Sequence, residues 1–210
     1  TGQWLLDSEQ YQAWLETKGQ TLFCPGIPGA GKTILTSHIN NDTIGPAYVY
    51  CNFRQQEEQK ADSLLANLLK QLAGRQPALP ERVIRTIERN PSSNEIQRTF
   101  QSVVAGYPRV FIVVDALDEC QASDGCRIRL LSELFNVQNR YGVNVLVTSR
   151  FIPEIMYQFK GYIHLEIRAT REDVERYVGG HLEQLRPFVQ RNQQLQGEIK
   201  TKISDAVDGM

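Results

Sequence analysis

The stretch Gly26-Ile27-Pro28-Gly29-Ala30-Gly31-Lys32-Thr33-Ile34-Leu35 decides the fold. Three glycines and a proline interrupt an apolar neighbourhood, and a lysine and a threonine follow at once. Each glycine held in a folded chain costs roughly 1 kcal/mol of extra conformational entropy. A turn so rich in glycine therefore needs a backbone shape that other residues do not adopt. Gly26–Thr33 matches G-x-x-x-x-G-K-[ST] in full, the pattern of a loop whose successive amide N–H groups converge on a phosphate.

The flanks agree with that reading. "QTLFCP" before the loop has the composition of a short buried strand closed by Pro25, and "TILTSHIN" after it suits a helix. Pro28 has no N–H, so the expected cradle consists of the amides from Gly29 to Thr33. The helix starting near Lys32 would add its positive dipole end. Lys32 is then expected to reach the β- and γ-phosphates, and the Thr33 hydroxyl to ligate Mg²⁺. The nucleotide-binding candidates are Gly26, Ile27, Pro28, Gly29, Ala30, Gly31, Lys32, Thr33 and Ile34.

A second acid-bearing strand completes the expected site. Val110–Val114 runs straight into Asp115, which places a carboxylate at the C-terminal end of a buried strand, where it would hold Mg²⁺. Asp118 and Glu119 follow, and either could orient or deprotonate the attacking water. Thr148-Ser149-Arg150 closes a further buried strand, and a cation there could sense the γ-phosphate. The catalytic candidates are Lys32, Asp118, Glu119 and Arg150; the metal candidates are Thr33 and Asp115.

Outward from these motifs, strands and helices alternate. Strands are expected at 20–25, 47–53, 110–114, 143–150 and 162–168. Helices are expected after Asp7 (with Gln10 as capping partner), over 33–40, along the leucine stripe 64–73, over 81–89, 94–105 and 127–140, near Pro153, and from Thr170 as N-cap. Most strands lack in–out alternation, so the pattern is α/β with a parallel sheet covered on both faces. Ile199, Ile203, Val207 and Met210 form an amphipathic stripe that stops mid-pattern. Together with the missing initiator methionine, this reads as a piece of a longer protein.

Composition narrows the function classes. The chain has 210 residues, 41% hydrophobic and 22% charged, with a formal net charge of −1. No whole-protein field attracts nucleic acid or anionic lipid, and no apolar run reaches the length of a membrane span; neither is an expected partner. Cys24, Cys51, Cys120 and Cys126 are too sparse for a disulfide scaffold. His38, His164 and His181 lack metal-ligand spacing. Reduced thiols in a cytoplasmic protein are expected. A GTPase would carry D-x-x-G after the acidic strand and N-K-x-D elsewhere; here the first reads Asp115-Ala116-Leu117-Asp118 and no Asn-Lys occurs. A Rossmann site would need a third glycine where Lys-Thr-Ile stands.

The loop "GIPGAGKT", the acidic strand "VVDALDE" with a small residue after its first Asp, and the later "TSR" together resemble the NACHT family. These are STAND-class signal-transduction NTPases related to the AAA+ group, found in NOD-like receptors. The lead-in "WLLDSEQYQAWL" and the segment "YCNFRQQ" look most like fungal members. The resemblance implies a three-layer P-loop NTPase of the ASCE type, with a five-stranded, mainly parallel sheet in which the Thr148 strand lies between the Gly26 and Asp115 strands. It also implies Mg²⁺ with ATP or ADP (GTP staying open), slow hydrolysis, and a nucleotide-dependent switch that self-associates in the full-length protein. Residues 1–169 would be the nucleotide-binding core and 170–210 the start of a helical subdomain. The alternatives are a nucleotide-gated scaffold with negligible turnover and an AAA+-type motor.

Overall fold

The structure, a computed structural model, describes residues 2–42, 46–55, 59–76, 80–89, 91–121 and 125–208. Two short helices, α1 (Gln3–Leu6) and α2 (Glu9–Glu16), precede strand β1 (Thr21–Pro25). Then come α3 (Lys32–Asp42), β2 (Pro46–Tyr50), α4 (Ala61–Ala73), α5 (Glu81–Glu88), α6 (Ser93–Val104) and β3 (Phe111–Asp115). The chain continues through α7 (Cys126–Tyr141), β4 (Asn144–Ser149), α8 (Pro153–Gln158) and β5 (Ile163–His164). It ends in α9 (Arg171–His181), α10 (Pro187–Gln190) and α11 (Gln193–Asp208).

The strands form one sheet in the order β2-β3-β4-β1-β5, and every pairing is parallel. β4 lies between β1 and β3, as the resemblance implies. Successive side chains on a strand point to opposite faces, and both faces here are apolar. Phe23, Val49, Ile112, Val114, Val145 and Val147 pack beneath α4, α6 and α7. Leu22, Cys24, Tyr48, Phe111, Val113 and Leu146 pack against Leu5, Tyr11 and Trp14 of α1 and α2, and Leu35 and Ile39 of α3. Three layers result, which explains why the strands read as unbroken apolar runs. The leucine stripe of α4 is buried at Leu64, Leu65, Leu68, Leu69 and Leu72. All four cysteines are buried thiols outside any disulfide. Among the described residues no helix is long and apolar enough to cross a membrane.

Three expected boundaries move. The second strand, expected to run to Phe53, ends at Tyr50, and Phe53–Gln55 form a 3-10 turn. The first long helix starts one residue later than expected, because Asp7 is taken as the C-cap of α1. Ser8 becomes the N-cap of α2, its Oγ accepting from the Tyr11 amide at 3.2 Å, so Gln10 is not the capping partner. The fifth strand is paired only at Ile163 and His164. It is an edge strand with β1 as its single neighbour, and 165–168 follow β1 by isolated bonds from Leu165 N to Phe23 O (3.0 Å) and Ile167 N to Pro25 O (2.7 Å).

One polar side chain ties the N-terminal helices to the sheet. Asn144, fully buried at the start of β4, donates through Nδ2 to the carbonyls of Trp14 and Thr17, while its Oδ1 accepts from Gly19 N at 3.0 Å. Beside it, the Trp14 indole donates to Val145 O at 3.0 Å and packs edge-on against Phe111. Asn144→Ala would orphan the buried Trp14 carbonyl and its neighbours. Each buried group left without a partner costs about 1–3 kcal/mol, so urea unfolding should show a loss of at least about 2 kcal/mol, against under about 0.5 kcal/mol for an exposed surface control.

Candidate functional site

β1 delivers the chain to Gly26, whose amide donates to Ser149 O at 3.0 Å and so joins the loop to the end of β4. A side chain at Gly26 would lie 2.5 Å from the Ile167 carbonyl oxygen, so close approach requires glycine there. Gly29 and Gly31 are glycine for a different reason. Both have φ above +80° and open space where a Cβ would stand. Left-handed backbone favours glycine, and the space beside it is open to a ligand. α3 then begins at Lys32, with its first amides aimed back over the loop.

Lys32 lies across the loop, its Nζ donating to the carbonyls of Gly26 (2.9 Å) and Ile27 (2.8 Å). Burial lowers its ammonium below the ordinary lysine value, while the negative charges of Asp118 and then Asp115 pull it back up. The lysine is thus held among the acids that the sequence put at the ends of other strands.

Asp115 sits at the tip of β3 and is 3% exposed. Its Oδ2 accepts from Thr33 Oγ1 at 2.6 Å and its Oδ1 from Thr148 Oγ1 at 2.6 Å. Thr148 Oγ1 in turn accepts from Ala116 N at 2.9 Å. The loop, the acidic strand and β4, through Thr148 near its end, therefore meet at a single carboxylate. No basic side chain pairs with it among the described residues. A buried carboxylate held only by hydroxyls is costly, and a hydroxyl and a carboxylate side by side are hard oxygen donors of the kind Mg²⁺ takes together with phosphate oxygens. The donor set fits Mg²⁺. No cluster of three His, Cys, Asp or Glu suited to holding a metal unaided exists among the described residues.

Beyond Asp115 the chain turns sharply. Ala116 is left-handed (φ 55°, ψ 49°), the one non-glycine residue of positive φ among those described. A short 3-10 turn, Leu117–Glu119, then separates the two remaining acids. Asp118 faces β4: its Oδ1 accepts from Arg150 N at 3.0 Å and its Oδ2 from Arg150 Nε at 2.5 Å. Glu119 faces the other way, its Oε2 accepting from Phe53 N at 3.1 Å beyond the end of β2.

A pocket of about 870 Å³ opens beside the loop. Its floor is Ile27–Gly31 with Ile34 and Leu35. One wall is Gly2 and Trp4; the other is Glu166 and Arg168 with Val174, Tyr177 and Val178 of α9 and Ile203 of α11. Asp173, in the first turn of α9 below the Thr170 cap, joins the two walls. Its carboxylate accepts from Gly2 N (3.1 and 3.2 Å) and from the Trp4 indole Nε1 (3.2 Å). The size suits a nucleoside, and aromatic and aliphatic walls suit a base.

Residues 1–150 match the family described as nephrocystin 3, N-terminal. The chain belongs to the nephrocystin 3 N-terminal family. No protein of curated function matches it. Among solved structures it is similar to the Walker-type ATPase paby2304 of Pyrococcus abyssi, at 13% identity and TM-score 0.59 over 95% of this chain and 60% of that one. It is similar also to the replication initiator DnaA bound to AMPPCP and single-stranded DNA (13%, TM-score 0.53, 95% and 57%). A third is Cdc6p from Pyrobaculum aerophilum (14%, TM-score 0.54, 84% and 46%). The chain spans no more than 60% of the length of any of these three. Such identities show the fold alone, a P-loop NTPase fold of the ASCE type, and the sheet order agrees.

For this member of the nephrocystin 3 N-terminal family, the sequence singled out Lys32, Thr33, Asp115, Asp118, Glu119 and Arg150, and the fold gathers them at the C-terminal ends of β1, β3 and β4. It missed the pocket. Trp4 gave no signal beyond apolarity, and Asp173 read only as part of a helix start. Thr148 was noticed as a strand end, without its bond to Asp115.

The left-handed Ala116 yields a direct test. An L-residue in this region is strained by roughly 1–2 kcal/mol, and glycine relieves that while costing about 0.5–1 kcal/mol of unfolded-state entropy. Ala116→Gly should therefore be neutral or stabilising by up to about 1 kcal/mol. Ala116→Val, β-branched where φ is positive, should destabilise by at least about 1 kcal/mol. Urea midpoints for the pair check both signs.

Proposed function

We propose that this chain is a nucleotide-binding module that takes Mg·ATP, hydrolyses it slowly, and serves as the nucleotide-dependent switch of a larger NACHT-type signalling protein. The observation that carries the proposal is the 2.6 Å contact between Thr33 Oγ1 and Asp115 Oδ2. It brings the last residue of a phosphate-loop motif against a buried acid from another strand, which is the pairing a Mg²⁺–phosphate complex requires.

In this reading the amides from Gly29 to Thr33 and the first turn of α3 hold the phosphates. Lys32 leaves the Gly26 and Ile27 carbonyls to reach the β- and γ-oxygens. Thr33 and Asp115 would hold Mg²⁺, which supplies neutralisation of phosphate charge when bound. The base enters the pocket between Trp4 and Tyr177. Arg150 meets the γ-phosphate, and an acid of the Leu117–Glu119 turn orients the attacking water. Residues 1–169 form the core, and 170–210 begin a helical unit whose α9 closes the pocket. Self-association belongs to the full-length protein, in a cytoplasmic setting. A net charge of −1 argues against nucleic acid as a partner.

A second reading has its own support. Asp118 and Glu119 are both engaged by protein donors, so the module could gate by binding alone, with negligible turnover. Adenine and guanine stay open, since neither is read by the loop. Turnover that rises strongly with a polymer would favour a motor instead.

Lys32→Ala tests the proposal. It deletes a charge-assisted contact worth about 1.5–3 kcal/mol, so a fluorescent Mg·ATP analogue should bind about 10- to 150-fold more weakly than to the wild type. Unchanged affinity would contradict the phosphate-loop assignment. Phosphate release under single-turnover conditions separates the switch that hydrolyses from the one that does not.

A further inference from the structure

We propose that Asp118 is the positioning residue for Arg150, gripping the arginine by its inner edge so that its terminal nitrogens meet the terminal phosphate. This inference rests on the nucleotide-site reading and gives Asp118 a role that the sequence left open.

The geometry divides Asp118 from Glu119. Asp118 spends both carboxylate oxygens on one residue: Oδ1 on the Arg150 main-chain N–H and Oδ2 on Nε. The carboxylate therefore fixes both where the arginine side chain leaves β4 and how its guanidinium is rotated. The Asp118 side chain is 2% exposed, while that of Arg150 is 51% exposed. The acid is sealed in and the cation projects from it. A guanidinium carries five N–H donors in a rigid fork. Nε–H is taken, and the four on the terminal nitrogens make no hydrogen bond among the described residues. They form the outer edge of the fork, the edge that binds phosphate oxygens in bidentate fashion.

Position agrees with chemistry. Arg150 is among the charges that act on the Lys32 ammonium, as are Asp118, Asp115 and Glu119. The guanidinium thus shares the zone of the loop lysine. A base that takes a proton from water needs an oxygen within hydrogen-bond reach of that water. Both Asp118 oxygens are committed and buried. Glu119 stands on the next residue of the same turn and points to the opposite side, toward Phe53.

The test compares wild type with Asp118→Asn, Arg150→Gln, the double variant, and Glu119→Gln. Affinities for Mg·ADP and a non-hydrolysable Mg·ATP analogue are read by displacement of a fluorescent nucleotide, and hydrolysis in single turnover. Arg150→Gln should weaken the triphosphate analogue about 10-fold or more and leave ADP within twofold. Asp118→Asn should do the same in smaller degree, at least about threefold. The double variant should be no weaker than Arg150→Gln alone, because the acid acts through the arginine. Glu119→Gln, which alters a carboxylate that accepts from Phe53 N, should keep the ATP-to-ADP affinity ratio of the wild type.

An Asp118→Asn protein that keeps its preference for triphosphate yet loses about 100-fold in hydrolysis, with that loss multiplying in the Arg150→Gln background, would overturn the proposal and make Asp118 the base. If Asp118→Asn unfolds, Asp118→Glu carries the same test, and an unchanged ATP-to-ADP affinity ratio overturns it. A wild-type chain that binds neither nucleotide fails at an earlier step: it removes the nucleotide-site reading, and this inference with it.

Discussion

The carboxylate of Asp115 is the point on which two strands, β3 and β4, and the loop converge. It is buried, it receives a hydroxyl from Thr33 at the start of α3 and another from Thr148 near the end of β4, and it has no basic partner among the described residues. Burial of an ionised acid is tolerated when a positive charge or strong donors compensate it. Two hydroxyls compensate it in part, and a divalent cation carrying a phosphate would complete it. The parallel sheet order follows the same need. With β4 between β1 and β3, the ends carrying Gly26, Ser149 and Asp115 stand side by side.

From that point outward the site is built of contacts across elements far apart in sequence. Gly26 must be glycine because Ile167 approaches it from the edge of the sheet, and its amide is held by Ser149. The short turn after Asp115 sends one acid to β4 and the next to β2. Asp173 connects the first residues of the chain to the first turn of α9. The family match ends at Arg150, the residue that Asp118 grips, so the second wall of the pocket comes from residues beyond the matched span. The pocket lies where residues 2–4 meet the first turns of α9.

Sequence reading recovered what depends on local pattern. The phosphate loop is legible because its glycines answer a backbone requirement that few other residues meet, and the strands are legible because a two-faced sheet leaves unbroken apolar runs. Asp115 was legible because a charge ending such a run has few uses. Features set by neighbours in space were not legible. Ser8 caps α2 because the preceding short helix consumes Asp7, and nothing in the local pattern separates the two. β5 is short because it has one neighbour, a property of strand order. Asp118 and Glu119 are adjacent acids in sequence, and only the 3-10 turn after a left-handed alanine divides their directions. Trp4 and Asp173 lie 169 residues apart, and their bond exists only in the fold.

The central claim is that the loop and Asp115 form one site for a metal-bound nucleotide. Calorimetric titration of nucleotide-stripped protein with ATP, with Mg²⁺ and then with the metal chelated away, measures this directly. Saturable binding of one nucleotide per chain, at least about tenfold tighter with Mg²⁺ (about 1.4 kcal/mol), is the expected result. Absence of saturable binding, or binding of equal strength with and without the metal, would contradict it.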